Sequence, residues 1–261
     1  GVPRVQGDGF MQRRQTANRI IELTKKQSDD AYLEAWRSWQ PGQPALLTMD
    51  INESLGIDVQ PIAVNFLGIW DTVPGSSLKN YGYCKENKGF VKNDLSVLVP
   101  GVDKGERYKT DSYPSIRNIA HAVSLDEKRS KFAPLLVCQA INATYSNISE
   151  VWFPGAHADV GGGYTDSNEL AGISLGWMVD LLNKTYPFEP YPEVHGSATG
   201  LAHWSIGDSP ANKFSRCEDR QPPADAHIHD SFDERKAASP VPLCWKGVPK
   251  PMAYPVNCPE K

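Results

Sequence analysis

The chain contains no apolar run approaching the roughly 18 residues that a membrane-spanning helix needs. It also lacks a surplus of positive charge: 27 basic side chains stand against 31 acidic ones, for a formal net charge of −4. That balance argues against a polybasic footprint for nucleic acid or for anionic lipid headgroups. No two of its five cysteines have C-x-x-C spacing, which removes the usual signature of a zinc ribbon or a dithiol redox centre. There is no internal repeat. The first residues show no initiator methionine, no basic n-region and no apolar h-region, so no signal peptide is visible. A chain opening on Gly1 is expected to be trimmed, processed or partial. Without a secretion signal, reduced thiols are the default. One disulfide among Cys217, Cys244 and Cys258 stays open, and an odd count leaves at least one thiol unpaired. What is present is ordinary globular composition over 261 residues, 40% apolar and 22% charged, enough for a real hydrophobic core.

Periodicity organises the chain. Gln12 to Lys26 reads as a helix, with Ile20, Ile21 and Leu23 among polar residues and lysines at its end. Asp29 and Asp30 open a second helical run, Ala31 to Trp39, closed by Pro41 and Gly42. Residues 44 to 60 follow no clear period. Pro61 to Trp70 is almost continuously apolar, as expected for a strand buried on both faces of a parallel sheet. Residues 74 to 114 are rich in Gly, Lys, Asn and Tyr and read as an insertion or lid-like stretch. Ser115 to Val123 places Ile116, Ile119, Ala120 and Val123 at helical spacing. Glu150 to Phe153 is a short strand candidate ended by Pro154 and Gly155. Glu169 to Lys184 is the clearest helix, with Leu170, Ile173, Trp177, Met178, Leu181 and Leu182 as one apolar stripe and Asp166 with Glu169 at capping-box spacing. Beyond about residue 236, a proline-rich tail is expected to wrap irregularly.

Two strand ends deliver chemistry. The first strand stops at Asp71; the run Val151 to Phe153 leads into Gly155-Ala-His157-Ala-Asp159. In open α/β sheets, the loops past the carboxyl ends of strands build the active-site crevice. A carboxylate and an imidazole meeting there can form the orienting and proton-accepting members of a catalytic triad. The order of Asp71 before His157 fits the hydrolase order Ser, Asp, His. Each has a plainer reading, Asp71 as a turn former and His157 as a structural residue. The glycines 161 to 163 favour close backbone approach or positive φ, or a tight turn into the next helix. Asp159 reads better as a turn cap than as an orienting group.

Three other features compete. Gly172-Ile-Ser-Leu-Gly176 satisfies the Gly-x-Ser-x-Gly pattern. A nucleophile elbow requires a strand before its serine. Residues 165 to 171 read as loop and helix start, and Ser174 follows His157, so it is assigned to the helix. His227-Ile-His229-Asp230 offers an H-x-H pair for one metal ion, but no further cluster of matching spacing accompanies it. His121 with Asp126, Glu127 and Arg129 reads as an ion-paired helix terminus.

The strings Asn65-Phe-Leu-Gly-Ile-Trp-Asp-Thr-Val73, Ile119-Ala-His-Ala-Val-Ser-Leu-Asp-Glu-Lys-Arg129 and Val151-Trp-Phe-Pro-Gly-Ala-His-Ala-Asp-Val-Gly-Gly-Gly-Tyr164 resemble the type VI secretion lipase-effector (Tle-type) α/β-hydrolase family, which also occurs as an uncharacterised hydrolase domain in bacteria and fungi. Ile173-Ser-Leu-Gly-Trp-Met178 and His229-Asp-Ser231 are similar to later elements of that domain, so the resemblance spans roughly residues 10 to 235. It implies a lipid ester hydrolase, often a phospholipase, with Asp71 and His157 in the triad. The chain departs from the family in one respect: no Gly-x-Ser-x-Gly elbow precedes Asp71.

The expected fold is therefore α/β, an α/β-hydrolase-like, mostly parallel sheet flanked by helices, with N-terminal strands missing from this chain. Residues 1–235 would form a partial catalytic domain, with 74–114 as its insertion, and 236–261 the irregular tail. The expected function is lipid ester hydrolysis by a Ser-His-Asp triad whose serine lies upstream. The isolated chain would then be inactive and poorly folded until that segment is supplied. Rivals are a non-catalytic binding module on the same fold and a metal-dependent hydrolase using His227 and His229. No cofactor or metal is required, and no nucleic acid partner is expected. A lipid or phospholipid substrate implies peripheral membrane contact. By resemblance, the protein is made in the cytoplasm, delivered into a target cell or periplasm by a type VI system, and met by an immunity protein and a secretion-apparatus partner.

Overall fold

A computed structural model describes residues 9–25, 38, 43, 46–57, 59, 64–73, 80–81, 91–92, 116–137, 146–187, 193–206 and 215–259. The helical run expected over Ala31 to Trp39, apart from Ser38, and nearly all of the 74–114 stretch lie outside them. Helix α1 spans Phe10–Lys25 and contacts α2, Leu46–Leu55, a helix where no period was legible. Strand β1 covers Leu67–Trp70, with an isolated bridge at Val64 extending its pairing. The short β2 (Asn80–Tyr81) and β3 (Val91–Lys92) pair antiparallel. Next come β4 (Asn118–Ser124), β5 (Asn147–Phe153), α3 (His157–Gly161), α4 (Glu169–Thr185), β6 (Ala202–His203), β7 (His227–Ile228), α5 (Ser231–Ala237), β8 (Val241–Trp245) and β9 (Val248–Met252).

The central sheet has the order β1-β4-β5-β7, and every pair in it is parallel. This bears out a mostly parallel α/β architecture. β4 is a correction. Ile116, Ile119, Ala120 and Val123 suggested a helix, yet 118–124 is the strand between β1 and β5. A strand buried on both faces carries no polar alternation, so its apolar residues fit a helical template by chance.

The faces alternate as the strand period requires. Ala120 and Ala122 of β4, with Val151 and Phe153 of β5, lie against Val160 and the α4 side chains Met178, Ile173, Trp177 and Leu181. Val123 and Trp152 face the other way and pack with Leu136. Phe153 and Trp152 are each 1% exposed, and full burial of such a side chain stabilises by roughly 1.5–3 kcal/mol. Small residues admit α4: a Cβ on Gly68 would sit 2.9 Å from the sulfur of Met178.

His121 is also corrected. It is on β4, fully buried, with Nδ1 2.9 Å from Glu150 Oε2 on β5, while Nε2 accepts the Thr72 N–H. The tail is a further correction. β8 and β9 form a hairpin, and β8 pairs parallel with β6. Prolines hid this, but Pro242 and Pro251 face each other across the ladder, and β9 is an edge strand, where missing N–H groups cost least.

Candidate active site

All four strands of the parallel sheet point their carboxyl ends to one rim, and the side chains with unusual surroundings gather there. β1 ends at Asp71, whose backbone turns sharply with φ +37°. This is a left-handed conformation that aspartate tolerates better than most residues and that often marks functional sites. The Asp71 N–H still pairs with the Ala122 carbonyl, so the turn stays anchored to β4. The Asp71 carboxylate is fully buried. Its Oδ1 accepts the Ser124 N–H at 2.9 Å, and its Oδ2 accepts from His157 Nδ1 at 2.6 Å. Arg220 forks across both oxygens, with Nη2 3.0 Å from Oδ2 and Nη1 on Oδ1.

Burial alone would push this carboxyl up. The Arg220 charge, then the hydrogen bonds from His157 and Arg220, more than offset it and hold Asp71 well below the usual carboxylate range. Asp71 is therefore an anion at any working pH. An ionised carboxylate at 2.6 Å fixes the proton of His157 on Nδ1 and leaves Nε2 as the basic nitrogen facing outward. The His157 side chain is 32% exposed, whereas its partner is sealed. No described residue is hydrogen-bonded to Nε2.

The His157 loop is held from below. β5 ends in Pro154 and Gly155, and Gly155 takes φ +112°, where a Cβ would lie 2.6 Å from that of Asp159. Glycine is required there on both counts. Gly155 donates its N–H to Asp126 Oδ2, and its carbonyl accepts from Ser124 Oγ at 2.7 Å. His157 opens the short helix α3, which the sequence did not reveal, and its N–H reaches the buried Glu127. Glu127 also binds Arg129 through both carboxylate oxygens and accepts from Ser205 Oγ. Burial opposes its charge, but the Arg129 hydrogen bonds and positive charge keep its pKa below the ordinary glutamate value. The Arg129 guanidinium lies 3.4 Å from the Phe132 ring centroid, and Phe132 sets its edge against His157 at 5.4 Å. So Asp126, Glu127 and Arg129, read as a helix terminus, are instead the buttress of the His157 loop.

The structure brings Asp71 and His157 together. It sends other candidates elsewhere. Asp159 accepts the Ala156 N–H, as a turn cap does, and also orients His203, whose Nδ1 lies 2.6 Å from it. Of the glycines 161 to 163, Gly162 takes positive φ as the C-cap of α3, which fits the turn toward α4. Asp166 does not cap α4; Asn168 occupies that position and Asp166 faces His203. Ser174 is fully buried within α4, and its Oγ donates to the Val160 carbonyl at 2.6 Å. His229 stacks on Phe153 at 4.7 Å with its Nδ1 on Ser231, and is not part of any metal-ligating cluster among the described residues.

Arg220 was missed. It stands in a polar segment, Cys217-Glu-Asp-Arg220, with no periodic or motif signal. A Cys217–Cys258 disulfide staples this segment to the tail, Asp219 accepts the Cys258 N–H, and Lys128 pairs with Asp219 at 2.7 Å.

The sheet is that of an α/β protein, and its rim carries a buried, cation-paired carboxylate hydrogen-bonded to a partly exposed imidazole. The family comparison agrees: the model of the T6SS phospholipase effector Tle1-like catalytic domain matches residues 9–181, and the chain belongs to that family. No curated protein and no solved structure matches it.

Proposed function

We propose that this chain carries the acid–base machinery of a phospholipid ester hydrolase, with His157 as general base and Asp71 as its orienting carboxylate. The observation that carries the reading is the 2.6 Å contact between His157 Nδ1 and a fully buried Asp71, with the imidazole side chain 32% exposed. In such a site Nε2 takes the proton of a serine hydroxyl as it attacks the ester carbonyl, and returns it to the leaving alcohol. The serine is a residue outside the described ones, on an α/β-hydrolase elbow, whose neighbouring N–H groups stabilise the oxyanion. Family membership supports a phospholipid as the substrate, delivery by a type VI system into a target cell or periplasm, and pairing with an immunity protein and a secretion-apparatus partner. Among the described residues no helix is long and apolar enough to cross a membrane.

The test is release of fatty acid from phospholipid vesicles by the full-length protein. His157→Ala and Asp71→Asn should each lower kcat by about a hundredfold or more, the low end for loss of general-base catalysis. Unchanged turnover in both variants would refute the assignment.

A further inference from the structure

A second carboxylate–histidine pair lies beyond the His157 loop, and the proposed hydrolysis makes no use of it. His203 closes β6 and is register partner to Cys244 on β8. Both are buried, and Asp166, half exposed in the turn before α4, meets them. One ligand atom from each of the three, Nε2, Sγ and a carboxylate oxygen, lies within 4.8 Å of the others. We propose that His203, Asp166 and Cys244 bind a divalent cation of the zinc class, bracing the loop that holds His157.

Four observations carry this. His203 Nδ1 is engaged by Asp159 at 2.6 Å, and Asp159, 4% exposed, is itself fixed by the N–H groups of Ala156 and His203. That commits Nδ1 to Asp159 and turns Nε2 toward the other two ligands, the carboxylate–histidine arrangement that accompanies histidine metal ligands. Nε2 stands 3.2 Å from both oxygens of Asp166. This is long for a charge-assisted hydrogen bond, at about 2.7–2.9 Å. It is close to the edge of roughly 3.3 Å between ligand atoms on a tetrahedral ion with bonds of about 2.0–2.1 Å. The Tyr164 ring stacks on the imidazole at 3.5 Å and 13°, holding its plane. Finally, Cys244 is outside the disulfide that joins Cys217 to Cys258.

A donor set of one thiolate, one imidazole and one carboxylate suits zinc or cobalt and excludes the all-oxygen preference of calcium and magnesium. Three protein ligands leave the fourth tetrahedral position to water. Binding needs the three ligand atoms, within 4.8 Å of one another, to draw in around a Zn–S bond of roughly 2.3 Å, and Asp166 is the ligand placed to move. Its place in a half-exposed turn permits that. The cation replaces the proton on Nε2 and that of the thiol, and both protons leave to solvent. Asp159 sits two residues past His157, so an occupied site stiffens the base-bearing loop without touching the reacting atoms. The proposal stands independently of the esterase reading.

The test is titration of metal-stripped full-length protein with Co2+. One equivalent should bind and produce a thiolate-to-cobalt charge-transfer band in the near ultraviolet, which Zn2+ then bleaches. Cys244→Ser should abolish the band. Asp166→Asn should weaken Co2+ binding by at least about tenfold, and Asp159→Asn by about 10–100-fold, the range for losing a supporting partner. Circular dichroism of each metal-free variant controls for folding. If Cys244→Ser fails to fold, the exposed Asp166→Asn decides alone. Absence of saturable binding, a band that survives Cys244→Ser, or unchanged affinity in Asp166→Asn would each overturn the proposal.

Discussion

Replacing Arg220 with Met removes the cation that lets Asp71 stay ionised with no exposure to water. Both partners are buried: the Arg220 side chain is 5% exposed and Asp71 fully enclosed. Breaking a buried pair from one side costs about 3–5 kcal/mol, because the remaining charge is left desolvated. The same change also removes one of the two side chains that hold the carboxylate in place: Arg220 Nη2 stands 3.0 Å from Oδ2, the oxygen that meets His157 Nδ1 at 2.6 Å, so turnover should fall along with stability. Urea unfolding of Arg220→Met, Asp71→Asn and the double variant supplies the matching stability cycle. The double variant should lose markedly less than the sum of the single losses. Strict additivity would refute the coupling of Arg220 to Asp71.

The other predictions concern single elements. Ser174→Ala should keep most of the activity that His157→Ala loses, since its Oγ serves only backbone carbonyls; equal losses, measured on the same vesicles, would make Ser174 functional after all. Gly155→Ala should destabilise by about 1–3 kcal/mol from its left-handed backbone, and by more from the clash with Asp159, as read from a chemical denaturation midpoint. The disulfide closes a 41-residue separation, worth about 4 kcal/mol in the chain-entropy account, so Cys217→Ser with Cys258→Ser should lower the thermal midpoint, and dithiothreitol should do the same to the unaltered protein. Asp71 has a depressed native pKa, so its contribution to stability is complete above the ordinary carboxylate range and is lost as pH falls through and below it; acid titration of Asp71→Asn should show a shallower decline.

Asp71 and His157 were legible because each ends an apolar run, and a parallel sheet necessarily collects such ends on one rim. α4 was legible because one face is buried and the other is wet, the condition under which a 3.6-residue period shows. β4 was not, since burial on both faces erases the alternation that marks a strand. Arg220 left no trace because its partner lies 149 residues away, and only tertiary packing makes them neighbours. His203 and Cys244 were equally silent, being joined by strand register rather than by spacing. The C-terminal hairpin was hidden by its own prolines, which suggested an irregular wrap, although the edge strand β9 accepts them.

The central claim is that His157, oriented by Asp71, activates a serine. The most direct measurement is the rate at which a fluorophosphonate probe labels the full-length protein, with the modified residue mapped by mass spectrometry. Labelling should fall on one serine outside the described residues, at a rate reduced at least about a hundredfold by His157→Ala and likewise by Asp71→Asn. Labelling that proceeds at the same rate in His157→Ala, or that maps to Ser174, would contradict the account.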